Sequence, residues 1–229
     1  MWANFINDFN TQMTPEIWDL ILVSTWETLY MTFAATFFAI LFGLPLGIWA
    51  FLTKKGYALS NAKINRTLEV IINIGRSIPF IILLLILLPV TKFLVGTTIG
   101  TTAAIIPLSV AALPFVARLT VNALGDVPPG LTETARAMGT GTWQLVTKFY
   151  LPEALPMLIK AFTLTFVTLI GYSAMAGAVG GGGLGNTAIT FGLYRNMPYV
   201  LWVATIIIVF IVIIGEKYGN KLADRFDHR

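Results

Sequence analysis

The chain contains no cysteine, which excludes disulfide frameworks, thiolate zinc sites, iron–sulfur clusters and cysteine nucleophiles. Its one histidine is His228, next to last, where it reads as a solvated tail, so imidazole acid–base or metal chemistry in a core is excluded too. Charge is scarce: 11% of residues are Asp, Glu, Lys or Arg, against roughly 25% in a soluble domain. No Lys or Arg precedes Lys54, so the basic start of a signal peptide is missing and no cleaved leader is expected. Neither catalytic residues nor a metal site are expected.

Apolar residues are what the chain has in quantity. They make up 56% of the sequence, and the mean hydropathy is +0.79. A soluble enzyme, a disordered chain and a nucleic-acid-binding domain are excluded as first readings. The net charge of +4 is read as basic membrane loops rather than as a nucleic-acid footprint.

Runs free of charge cover residues 28–53, 77–91, 93–117, 161–194 and 196–215, and the second extends back over 70–75 across Arg76. A membrane-crossing helix needs roughly 20 mostly apolar residues. The run 161–194 is too long for one span and holds a glycine stretch, so it reads as a helix followed by a loop. The expectation is an all-α polytopic membrane protein, a single transmembrane domain over residues 1–229. Five transmembrane helices lie near 20–52, 62–90, 101–122, 154–177 and 197–218, with a cytoplasmic loop at 121–152. Pro45 falls inside the first helix, Pro79 and Pro89 inside the second, and Pro107 and Pro114 inside the third. Membrane helices tolerate proline where neighbours satisfy the freed carbonyls.

An odd number of spans puts the termini on opposite sides, and the basic residues decide which. Twelve fall on one side: Lys54, Lys55, Lys63 and Arg66; Arg118, Arg136, Lys148 and Lys160; Lys217, Lys221, Arg225 and Arg229. Only Lys92 and Arg195 fall on the other, with Arg76 inside the membrane. The N-terminus is expected outside and the C-terminus in the cytoplasm. Before the first span, Trp2, Phe5, Ile6, Phe9 and Met13 recur at helical spacing. They fit either an amphipathic helix on the outer surface or a frayed terminus.

The loop at 121–152 is long and structured. Pro128 and Pro129 start a short helix, Gly139 fits its C-terminal cap, Thr142 fits the N-cap of a second one from Trp143 to Tyr150, and Pro152 ends that. Such a loop suits either a cytoplasmic partner or a helix on the membrane surface. Glu133-Thr134-Ala135, three residues, Gly139, nine residues, Phe149, one residue, then Leu151-Pro152 resembles the EAA loop of bacterial ABC importer permeases. Every spacing matches, with Thr134 in place of Ala and Phe149 in place of Ile.

Further stretches resemble the permease subunits of methionine importers: Arg76 to Leu84, Ala112 to Arg118 and Gly171 to Gly180. The resemblance covers about Trp26 to Tyr218. It implies the type I ABC importer permease fold in the bacterial inner membrane and a homodimer of ten helices. It also implies a cytoplasmic dimer of ATP-binding subunits and a lipid-anchored methionine-binding protein outside. Glu133, Thr134, Ala135, Arg136, Ala137, Met138 and Gly139 would then form the coupling helix that docks on the ATPase. No cofactor is expected in this chain, since ATP and magnesium would sit in the partner.

Four further features carry paired readings. Gly180 to Thr187 has the outline of a phosphate loop, but Asn186 stands where the lysine belongs, no strand precedes it, and it lies on the outer side. Its glycines serve a turn and close packing, or receptor docking. Arg76 contacts the pathway or a substrate carboxylate, or else pairs structurally with carbonyls or with Glu69, seven residues earlier. Tyr172, Ser173 and Met175 are candidates for the substrate pathway or its gate, or else are packed or lipid-facing; they lie among Gly171, Ala174, Ala176, Gly177 and Ala178, a close-packing face. Met175 suits a gate, since a thioether fills irregular gaps, or is packing alone.

The expected function is the permease subunit of an ATP-driven importer, most closely one for methionine, working by alternating access with no covalent chemistry of its own. The rivals are a permease for another amino acid and an ATP-independent channel or scaffold.

Overall fold

The computed structural model describes residues 8–227, so the expectations on Trp2, Phe5, Ile6 and His228 fall outside it. A helical segment at 8–12 leads into α1, Pro15–Leu52. There follow α2, Ala62–Ser77, α3, Phe80–Val95, α4, Thr101–Gly125, and the short α5, Pro129–Ala137. The chain continues through α6, Thr142–Gly177, α7, Gly183–Thr187, and α8, Pro198–Phe226. All regular structure among the described residues is helical. Of these helices, α1, α4, α6 and α8 are long and apolar enough to cross a membrane, and α2 with α3 makes a fifth if the broken pair counts as one span.

That break corrects the expectation of one continuous helix over 62–90. Ile78 sits at φ −79°, ψ 123°, outside the helical region. The ring of Pro79 clashes with a helical residue before it, which drives Ile78 to an extended conformation. Arg76 therefore lies in the last turn of α2 rather than mid-helix, and Pro79 lies between helices. The second half runs on to Val95, past Lys92, and Gly96 closes it at φ 85° with its N–H donated to the Lys92 carbonyl.

The loop at 121–152 differs at its second half. Gly141, not Thr142, is the N-cap of α6, with its N–H donated to Gln144 Oε1 at 3.4 Å. Pro152 does not end the helix. Residues Leu145–Tyr150 form a π-helical turn, with the Leu151 N–H donated to the Val146 carbonyl. The wider turn moves the preceding carbonyl away from the proline ring, and the helix continues to Gly177. A second π turn, Ala188–Tyr194, extends α7. The expected loop after α6 is thus partly helical.

The chain packs as two compact units: residues through Thr36 with Pro79–Ser109 and Phe166–Gly215, and Phe37–Ile78 with Val110–Thr165 and the residues from Glu216 on. In the first, Ile17 and Ile21 of α1 pack with Leu184, Ala188, Val200 and Ala204. Met13 belongs to the same core, and the Phe9 ring meets Tyr199 edge to face at 5.6 Å, so these two face protein. In the second, Phe51, Leu68, Ile72, Val121, Leu124, Ala135, Leu145 and Tyr150 form the core. Here α1 and α4 touch backbone to backbone. A Cβ on Gly43 would come within 2.7 Å of the Leu113 carbonyl, and one on Gly47 within 2.6 Å of the Ala117 carbonyl. Glycine four residues apart on one helix face permits this approach.

Candidate coupling surface and pathway residues

Helix α5 starts at Pro129, where proline's missing N–H costs nothing. Its end is fixed by two hydrogen bonds: Gly139 N–H to the Arg136 carbonyl at 2.9 Å and Thr140 N–H to the Ala135 carbonyl at 3.3 Å. This Schellman arrangement needs a left-handed residue at its centre, and Gly139 supplies it at φ 72°. Ala135 is fully buried in the core of its unit, so it presents nothing to a partner. Glu133, Thr134, Arg136, Ala137, Met138 and Gly139 are exposed. Trp143, at 77% exposure, lies just beyond. It falls outside the motif spacing, and a tryptophan in a charged loop is the one sequence signal that points to it.

The spacing of the motif has a local cause. Phe149 and Leu151 pack against the core that holds Ala135. The Tyr150 hydroxyl is hydrogen-bonded to that of Thr132 at 3.0 Å, and its ring meets Phe51 at 5.2 Å. Half of the motif folds the loop, and the other half faces out. A cavity of about 210 Å³ opens beside α5, with Glu133, Arg136, Thr132, Gly56 and Tyr57 in its wall. The Arg136 guanidinium donates to the Gly56 carbonyl at 3.0 Å, across that wall.

Arg76 is exposed and has no hydrogen-bond or ion-pair partner among the described residues. Glu69 pairs instead with Arg118, at 2.5 Å, and the same guanidinium donates to Asn73 Oδ1 at 2.8 Å. Of the readings open for Arg76, the pairing with Glu69 is not formed: Arg118 on α4 occupies the carboxylate.

On α6 the three pathway candidates separate. Ser173 is buried and its hydroxyl donates to the Ile170 carbonyl at 2.8 Å, so it is engaged within its own helix. The Tyr172 ring stacks on Phe80, with centroids 4.7 Å apart and an interplanar angle of 5°. Met175 is 51% exposed. Gly177 lies against the backbone of Asn186, and Gly185 against that of Ala174, while Gly171 has open space around it. The close-packing face is therefore the Ala174–Gly177 side, and its partner is α7.

The glycine stretch has its own occupant. Gly183 N–H donates to Glu27 Oε2 at 2.7 Å and Leu184 N–H to Thr28 Oγ1 at 2.9 Å. Ser24 and Thr187 share a hydrogen bond at 2.6 Å. Backbone donors at a helix start favour an anion, and here a carboxylate of the same chain fills that role.

The model of the binding-protein-dependent transport system inner membrane component family matches residues 43–216, which include α5 and the loops on both sides of it. The chain belongs to that family. It is 67% identical over 217 residues to the "Probable D-methionine transport system permease protein MetI" of Pasteurella multocida, covering 95% of this chain and all of that one. It is 52% identical over 163 residues to the D-methionine transport system permease protein MetI of Escherichia coli K12, covering 71% and 75%. Inward-facing structures of the MetNI methionine ABC transporter include a chain that superposes with a TM-score of 0.93 at 44% identity, covering 94% of this chain and 100% of that one. The fold is that of a type I ABC importer permease, and the chain is a multi-pass membrane transport subunit.

Proposed function

We propose that this chain is the membrane-spanning subunit of an ATP-driven methionine importer, acting as a homodimer. The observation that carries the reading is α5: an exposed short helix with its charges outward, capped at Gly139 and seated on a rigid core. It is the coupling helix that a separate ATP-binding subunit grips on the cytoplasmic side. Closure of the ATPase dimer on ATP draws the two coupling helices together, and the permease opens outward to receive substrate from its binding protein. Hydrolysis returns it inward. In this reading the N-terminus lies outside, which the twelve-to-two distribution of Lys and Arg supports. Tyr172, Met175 and Arg76 are the pathway candidates; the exposed Met175 faces the partner copy and closes the path between them, while Ser173 supports α6 from within.

The test is uptake of radiolabelled methionine into proteoliposomes containing this permease, the methionine-importer ATP-binding subunit of the same organism, and its binding protein. ATP-dependent uptake of methionine, competed by methionine over other amino acids, is expected. Uptake without ATP, or preference for another amino acid, overturns the assignment.

A further inference from the structure

We infer that the loop joining α1 to α2, residues 53–61, is a second docking element for the ATP-binding subunit, fitting an acidic edge beside the groove that takes α5. This rests on the coupling-helix reading and extends it to residues outside the motif.

The loop is a preformed piece of structure. Tyr57 N–H donates to the Lys54 carbonyl at 3.1 Å, Leu59 N–H to the Leu52 carbonyl at 3.1 Å and Asn61 N–H to the Thr53 carbonyl at 3.0 Å. Asn61 Oδ1 then caps α2 by accepting from Lys63 and Ile64 N–H. Asn65 Nδ2 donates to the Ala50 carbonyl at 2.8 Å, tying the first turn of α2 back to α1. A segment held this way has little conformational entropy left to lose on binding.

It is also tied to α5 by two independent routes. Arg136 of α5 donates to the Gly56 carbonyl at 3.0 Å. Tyr57 packs on Phe51 at 4.4 Å, Phe51 on Tyr150 at 5.2 Å, and the Tyr150 hydroxyl reaches Thr132 of α5. Gly56, Tyr57, Glu133 and Arg136 share the wall of one cavity. A body large enough to grip α5 therefore meets the loop as well.

Charge says what kind of surface fits. Lys54 and Lys55 lead the loop, Lys54 half-buried over the Phe51 ring at 5.9 Å and Lys55 exposed. With Arg136 they outnumber Glu133, and the exposed Leu59 adds an apolar contact. Cations at the rim of an interface act mainly on association rate and its salt dependence.

The experiment uses the detergent-solubilised full chain and the purified ATP-binding subunit named above. Lys54→Glu/Lys55→Glu should weaken association about tenfold at low salt, with the gap closing at high salt, while insertion and dimer elution are unchanged. In the cysteine-free background, Lys55→Cys carrying a benzophenone maleimide should cross-link to the ATP-binding subunit on illumination. Association unchanged within twofold at both salts, or label that attaches only to the detergent micelle or its residual lipid, overturns the inference. Glu133→Lys run alongside separates the two readings. If it abolishes association while the loop variant does not, the second element is wrong and the coupling helix stands. If neither variant affects association, the coupling helix falls too.

Discussion

The Glu27 carboxylate accepts the Gly183 N–H at 2.7 Å, joining positions 156 residues apart. The bond fastens α1 to the start of α7 where Gly182 and Gly183 hold φ of 76° and 75°. Removing the acceptor leaves a backbone donor without its charged partner. Glu27→Ala should cost about 2 kcal/mol and Glu27→Gln, which keeps an acceptor, about half of that. Thermal unfolding in detergent reads this out; equal melting of Glu27→Ala and the parent would sink it.

Arg118 holds both Glu69 and Asn73 of α2, and its side chain is 19% exposed. Arg118→Met strands a partly buried carboxylate and should cost about 1–3 kcal/mol, discounted from the fully buried case for solvent access. Adding Glu69→Gln should restore much of it, because two neutral partners carry no unpaired charge. A double-mutant cycle of unfolding free energies checks the coupling. Additive losses would show that the pair does no more than sit together.

Gly47 and Gly171 make a contrast within membrane-spanning helices. A methyl group at Gly47 would strike the Ala117 carbonyl and the Thr120 side chain at 2.6 Å, whereas Gly171 has open space around it. Gly47→Ala should destabilise by about 1–3 kcal/mol through overpacking. Gly171→Ala should fall within about 0.5 kcal/mol of the parent. Reversal of that order in the melting temperatures would contradict the packing described for α1 on α4.

For the coupling surface, Glu133→Lys should leave a correctly inserted permease that binds its ATPase about 30-fold or more weakly. Gly139 has open space for a side chain, so only its φ of 72° restricts it. Gly139→Val should disturb docking through the backbone, and Gly139→Asn should be milder because asparagine enters the left-handed region more readily. Pull-down of the ATP-binding subunit and methionine uptake are the paired readouts. Full retention of both by Glu133→Lys and Gly139→Val would remove α5 from the interface.

Local signals in the sequence are sufficient where one residue's chemistry decides. Pro129 begins α5 and Gly139 ends it because ring closure and positive φ admit few alternatives. Long apolar runs locate α1, α4 and α8 because an uncharged stretch of bilayer length is rare outside a membrane helix. The break at Ile78 escapes a reading of the sequence although its cause is also local: apolar residues on both sides of Pro79 imitate one span. The partner of Glu69 is out of reach for another reason. Helical spacing offers Arg76, while the true partner stands 49 residues away on α4. The π turns leave no residue signature, since any helix former can occupy them, and burial of Ala135 depends on a core assembled from α1, α4 and α6.

The wide turn at Leu145–Tyr150 carries one residue more than an α-helical path would use. The count of nine residues between Gly139 and Phe149 includes that surplus. Deleting that surplus residue would let the turn tighten to an α-helical path, and the helix beyond it would keep its phase. The same deletion in the regular stretch after Leu151 has no slack to draw on and would rotate everything beyond it by about 100°. The wide turn is thus a slack link, a place where α6 can lose a residue without turning the face that carries Ala174 and Gly177.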